Sequence, residues 1–181
     1  MKPRERRRFF NPRFVRTERR RSTRRWAAML VLSIPLFLLF ERYVTSAGRV
    51  TDVSMLPALK AGDYFFINKF SHRVAGLARG DVVVLRLPEK RRWRYVKRVV
   101  GLPGETLSLS GGRVWINGEP LSEPYVRGET HPEMGPIRIP AGFCFVLGDN
   151  RPDSQDSRQF GLVPLEQVEG KIRPGRWFTL I

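Results

Sequence analysis

The sequence predicts a mostly β protein, an antiparallel β-sheet or barrel-like domain, behind one N-terminal transmembrane helix. Three observations predict it. From Arg49 onward, short apolar runs alternate with Gly, Pro and Asp, the texture of an antiparallel sandwich or barrel. Within that part only residues 165–169 hint at a short helix. Ahead of it, an uncharged run of 15 residues from Trp26 to Phe40 follows an arginine-rich start.

The chain has 181 residues, enough for about one domain with its own core. Its net charge of +16 is unevenly placed. Residues 1–25 carry 12 Lys or Arg against 2 acidic residues, and no usable apolar period. They read as a basic tail without a packed core. The uncharged run that follows is short for a spanning helix, which needs roughly 17–25 residues. Trp26 and Tyr43 can act as interfacial aromatics, and Arg25 and Arg42 can snorkel to lengthen the span. An anchor over 26–44 is the preferred reading. A cleaved leader is the alternative, with small residues for cleavage at Thr45-Ser46-Ala47. Either way the arginine-rich side stays cytoplasmic and residues 45–181 are exported. The tail then sets orientation and touches anionic lipid, and no nucleic acid is expected, because base-reading groups and interleaved aromatics are lacking.

Strand-like runs follow at 49–53, 64–68, 81–87, 95–100, 106–109, 113–116, 143–147 and 171–180. Ser110-Gly111-Gly112-Arg113 and Asn117-Gly118 are tight-turn signals. Residues 118–140, rich in Pro, Gly and Glu, read as an irregular excursion. Cys144 is the single cysteine, so no intramolecular disulfide forms, and its setting among Phe143, Phe145 and Val146 suits an inert buried thiol. His72 and His131 have no metal-ligand spacing. No structural zinc and no cofactor are expected.

Ser54 stands at the end of the 49–53 run and before Met55-Leu56-Pro57, where a proline ends any ladder. A serine there is ordinarily a turn residue. The 95–100 strand supplies what could make it more. Tyr95, Lys97 and Val99 share one face, and Val96, Arg98 and Val100 the other. Both cations could snorkel at an edge. Alternatively one is desolvated. A free lysine has a pKa of about 10.4, and burial can lower it by several units. A neutral amine can take a proton from a serine hydroxyl, whereas arginine does not deprotonate. Lys97 is therefore the candidate base on this strand. The run from Gly148 to Arg158 packs two arginines and several carboxylates and serines into one loop, which can satisfy itself through Asp–Arg pairs.

Three segments together resemble the type I signal peptidase (leader peptidase) family, membrane-bound Ser–Lys proteases. They are Ser54-Met55-Leu56-Pro57-Ala58-Leu59; Tyr95-Val96-Lys97-Arg98-Val99-Val100-Gly101-Leu102-Pro103-Gly104-Glu105; and Gly148-Asp149-Asn150-Arg151 with Ser154, Asp156, Ser157 and Arg158. With Arg79-Gly80-Asp81-Val82-Val83, the likeness spans roughly residues 26–181. The resemblance implies Ser54 as nucleophile and Lys97 as general base. It implies that Ser154 hydrogen-bonds and orients the lysine amine, while Asp149, Asp156 and Arg158 brace the site. It implies a mostly antiparallel β fold whose sheet surface rests on membrane lipid. Signal peptides of preproteins would bind as an added strand, with small pockets for Ala-X-Ala side chains. Val50, Met55, Leu59, Tyr95 and Val96 map to those pockets. Two positions depart from the pattern. Asp52 stands where some members place a serine that helps bind the oxyanion, and Ala58 stands where threonine is usual.

The expected activity is removal of signal peptides at the plasma membrane by a single-pass protein. Three other readings stay open. One is a processing peptidase of a secretion or conjugation system. Another is a self-cleaving Ser–Lys regulator, which would need a soluble DNA-binding domain where 26–40 stands. The third is a membrane-tethered binding module with a basic tail.

Overall fold

A computed structural model describes residues 25–38, 45–88 and 93–172. The chain divides into two compact units, Met1–Arg42 and Tyr43–Ile181. In the first, residues 25–38 form a helix, α1, whose side chains are exposed all round. Trp26, Met29, Leu30, Leu32, Ile34, Leu36, Phe37 and Leu38 are all more than half exposed. At 1.5 Å per residue these 14 residues reach about 21 Å, short of the ~30 Å hydrocarbon core of a bilayer. Among the described residues no helix is long and apolar enough to cross a membrane. The expected anchor runs on through residues 39–44, which lie outside the described residues, as does the basic tail up to Arg24.

The second unit is mostly β and antiparallel. Seven strands form one sheet: β1 (Thr45–Arg49), β2 (Tyr64–Asn68), β3 (Val82–Leu85), β4 (Tyr95–Gly101), β9 (Phe143–Leu147), β10 (Val163–Pro164) and β11 (Val168–Ile172). Their order is β1-β2-β11-β3-β4-β9-β10. A second sheet runs β7-β6-β5-β8, from β5 (Thr106–Ser110), β6 (Arg113–Ile116), β7 (Glu119–Pro120) and β8 (Met134–Arg138). Two single-turn helices, α2 (Ser71–Ala75) and α3 (Ser157–Phe160), complete it with a 3-10 turn at Leu165–Gln167. Among the described residues, which leave out 173–180 of the expected last strand, the barrel-like closure expected from sequence is not formed. β1 and β10 end the larger sheet on opposite sides and do not pair, so both sheets are open.

The central strands are apolar on both sides because both faces are covered. All four residues of β3 are fully buried. Val82 and Val84 pack with Val50, Met55, Leu59, Phe65 and Ile67, while Val83 and Leu85 pack with Val99, Cys144 and Val146. Burial pushes the Cys144 thiol up to about 12, as suits an inert thiol. A third cluster joins Val100, Phe145 and Leu147 to Leu107, Leu109, Val114 and Ile116 of the smaller sheet.

Several boundaries differ from the expectation. The first strand is Thr45–Arg49, and the 49–53 run shares only Arg49 with it: Val50 N–H donates to Asp63 O at 2.8 Å, and Gly62 N–H to Val50 O at 2.8 Å. This closes a loop and ends the ladder before Ser54. Residues 168–169, read as the end of a helix, open β11. The 118–140 excursion contains β7 and β8, whose Pro and Gly hide the strand alternation.

Candidate active site

The site is built where three segments converge: the turn after β1, the middle of β4 and the loop after β9. Ser54 is only 4% exposed although it stands in a turn. It is held from the far side of the chain. Asn150 N–H donates to Ser54 O at 3.0 Å, and Asn150 Nδ2 donates to Val53 O at 3.2 Å. Gly148 permits this approach. A Cβ there would meet the Ser154 side chain and come within 2.6 Å of the Ser54 carbonyl oxygen.

Lys97 lies opposite Val83 in the β3–β4 ladder and is 1% exposed. Its Nζ donates to Ser54 Oγ at 2.5 Å across 43 residues of sequence. It makes no ion pair among the described residues. Burial pushes its pKa below the ordinary lysine range, against the opposing fields of Asp52, Asp156 and Asp149, with Arg158 adding to the lowering. A nucleophile in hydrogen-bond contact with a desolvated amine is the arrangement in which the hydroxyl can lose its proton. Neither histidine bonds Ser54: His131 Nε2 contacts Glu129 at 3.0 Å on the surface, and His72 belongs to α2.

The supporting residues form a self-satisfied loop. Asp149 receives Arg98 in fork geometry, Nε to Oδ1 at 2.7 Å and Nη2 to Oδ2 at 2.5 Å. Asp156 is fully buried and receives Arg158 Nε at 2.8 Å, Arg158 Nη2 at 2.8 Å and Gly148 N–H at 3.0 Å. Burial alone would raise its pKa, but Arg158, the Gly148 amide and Ser154 outweigh that and hold the carboxyl below its ordinary range. Asp156 also caps α3 through a capping box with Gln159. Arg158 reaches on to Arg151 O and His131 O. Ser154 departs from the expectation. Its hydroxyl is buried without a well-formed hydrogen bond, and the Lys97 amine is bonded to Ser54 instead. The loop seats Ser154 against Gly148 and beside the Asp156 carboxylate, which it helps keep charged.

Two clefts flank Asp52. One, of about 170 Å³, is lined by Val50, Ser54, Met55, Phe65, Val96 and Arg94, among others. The other, of about 390 Å³, is lined by Tyr95, Lys97, Asp153, Ser154, Gln155 and Gln159, among others. Val50, Met55 and Val96 thus gather on the smaller, more apolar cleft, and Tyr95 on the larger. Leu59 packs in the core cluster with Val50 and Met55.

Sequence reasoning passed over two residues. Asn150 has no role assigned to it from sequence, yet its backbone and amide fix the nucleophile's turn. Arg151, fully buried, ties the loop to the 118–140 segment through Glu123 at 2.6 Å and Thr130, and braces the loop itself through Gly148 O at 3.0 Å. The signals for both were the density of polar groups after β9 and their place in the Gly148–Arg151 motif.

Comparison with known proteins bears on what this arrangement does. A family model described as signal peptidase, peptidase S26, matches residues 23–177. Signal peptidase I of Leptolyngbya laminosa is 38% identical over 153 residues, covering 81% of this chain and 75% of that protein. Signal peptidase I of Bacillus caldolyticus is 36% identical over 172 residues, covering 85% of this chain and 90% of that one. A crystal structure of a signal peptidase I from Enterococcus faecalis V583 aligns with a TM-score of 0.48 at 34% identity, covering 54% of this chain and 97% of that chain.

Proposed function

The chain belongs to the signal peptidase family, peptidase S26, and from that premise we propose that Ser54 and Lys97 are the dyad with which it cuts signal peptides from exported preproteins. The observation that carries the assignment is the 2.5 Å contact between Lys97 Nζ and Ser54 Oγ, with both residues buried. Ser54 Oγ bonds to the scissile carbonyl carbon as its proton passes to the neutral Lys97 amine. The carbonyl oxygen takes up the negative charge. When that intermediate collapses, the C–N bond breaks and the Lys97 ammonium returns the proton to the leaving amine. Water then attacks the acyl ester, giving its proton to Lys97, and as the ester C–O bond breaks Lys97 passes that proton to Ser54 Oγ, which frees the acid and restores the dyad.

The braces have separate tasks in this reading. Asp149 and Asp156 hold Arg98 and Arg158, so that the loop after β9 stays rigid and Asn150 keeps the nucleophile's turn in register. Ser154 shares the larger cleft with Lys97 and would orient the amine once substrate shifts it. Small side chains of an Ala-X-Ala site would enter the clefts lined by Val50, Met55, Val96 and Tyr95, with Leu59 packed in the same core cluster as Val50 and Met55. The peptide main chain would pair as an added strand.

We also assign residues 26–44 to a membrane anchor in the plasma membrane, with residues 1–25 on the cytoplasmic side and the β unit outside. The exposed apolar circumference of α1 supports this, as does the pairing of Thr45–Arg49 with β2. Cleavage after Ala47 would cut through that strand, which favours a retained segment over a leader.

The test is cleavage of a preprotein by the detergent-solubilised full chain. Ser54→Ala and Lys97→Ala should each abolish cleavage while leaving the thermal transition in place. Near-full activity in either variant would overturn the dyad.

A further inference from the structure

The turn before the nucleophile carries a contact that the proposed reaction does not use. The Asp52 carboxylate Oδ1 accepts the Ser54 backbone N–H. In acyl transfer by a serine, the nucleophile's own N–H is a usual donor to the oxygen on which negative charge gathers. A carboxylate on that donor competes with the oxyanion twice. It takes up the hydrogen bond, and it places like charge where charge must develop.

Asp52 is not locked there. Its side chain is exposed, and it lines both the smaller cleft beside Ser54 and the larger cleft beside Lys97. A substrate carbonyl entering from either side meets it first, and rotation can turn it out to water. The charged groups around it come from several elements. Arg49 and Arg94 line the smaller cleft, and Lys97 and Asp153 the larger. Asp149, Asp156 and Arg158 act on the same Lys97 amine that Asp52 acts on.

Resting on the dyad assignment, we infer that Asp52 is an internal occupant of the oxyanion seat: it holds the Ser54 N–H in the free enzyme, is displaced by the substrate carbonyl, and slows acylation. It is a positioning residue whose presence costs rate. Its negative charge also favours the protonated form of Lys97, so it restrains nucleophile and base together.

The experiment measures kcat/KM for an Ala-X-Ala peptide across pH for wild type, Asp52→Ser and Asp52→Ala in the full-length chain. One oxyanion donor is worth about 10²–10³ in kcat. Because Asp52 is displaceable, its removal should return part of that, a rise of about tenfold in kcat with KM little changed. The acid limb should also move to lower pH in both variants, since a negative charge facing Lys97 has gone. Ser54→Ala is run in each background. If cleavage survives it, the dyad itself is wrong. If cleavage depends on Ser54 but both variants are equal to or slower than wild type with the thermal transition unchanged, the dyad stands and this inference falls. Should the serine variant fail to fold, the alanine variant, which carries neither the charge nor an acceptor, decides alone.

Discussion

Lys97 and Arg98 are neighbours on one strand, both are buried cations, and the protein treats them in opposite ways. Arg98 is given a carboxylate in fork geometry, a backbone carbonyl at Gly80 O 2.8 Å away, and the face of Tyr125 with its guanidinium 3.9 Å from the ring centre. Burial works against its charge, but Asp149 more than restores it. Lys97 is given a hydroxyl. Three carboxylates act on it from a distance, and burial still wins. A buried cation holds its proton more firmly when a partner is placed in contact, and less firmly when the partner is withheld. Period 2 along β4 sends the two side chains to different surroundings, so one strand can both brace the site and activate it.

The sharpest way to break this contrast is to make Lys97 behave like Arg98. In Lys97→Arg the cation stays protonated and cannot accept the Ser54 proton. We expect kcat/KM to fall by about 10⁴, measured on a preprotein or peptide, while circular dichroism stays native. Appreciable turnover in that variant would mean that Lys97 acts only as a charge. Next in size is the reverse test. Arg98→Met leaves Asp149, 1% exposed, as a buried carboxylate without its partner. Breaking a buried pair in this way costs about 3–5 kcal/mol, a fall in Tm of about 10 °C or more for a unit of this size by calorimetry. An unchanged Tm would show that the fork carries no net stability.

How much of this was legible follows from which signals are local. Strands 64–68, 113–116 and 143–147 matched to the residue, because alternation and flanking turns mark them from within. Lys97 was legible as a base candidate because a lysine between apolar β residues is locally odd, and Ser54 because a family motif surrounds it. Asn150 was not legible. Its bond to Val53 spans 97 residues, and nothing next to it announces a partner so far away. Strand β8 was hidden because Gly135 and Pro136 sit in its middle. The sequence did mark Asp52 as misplaced for an oxyanion site. That its carboxylate turns back onto the Ser54 N–H is a matter of side-chain geometry, beyond any pattern of residue types.

A smaller prediction separates the two cations by sign. Lys97→Met removes an amine that the fold desolvates without pairing, so it should stabilise the protein, by about 1 kcal/mol near neutral pH. The same change at Arg98 destabilises. One strand then gives opposite shifts in Tm for one substitution at adjacent positions, at full loss of activity in the first case.

The pH dependence of that stabilisation is the smallest effect and the most discriminating. Between the lowered pKa of Lys97 in the folded chain and about 10.4 in the unfolded chain, the unfolded state binds one more proton. Wild-type stability therefore rises with pH through that window, at up to about 1.4 kcal/mol per unit, because the cost of burying a charged amine fades as the amine loses its proton anyway. Lys97→Met lacks this contribution. Its advantage over wild type should be largest below the lowered pKa and should close as pH climbs toward 10. Cys144 and Tyr125, whose pKa values burial raises, push stability the other way at high pH, but they are present in both proteins and cancel in the difference. Denaturant midpoints for the pair at half-unit steps from pH 6 to 10 measure it. A constant gap would mean that Lys97 stays charged in the folded protein as Arg98 does, and the amine could not serve as the base.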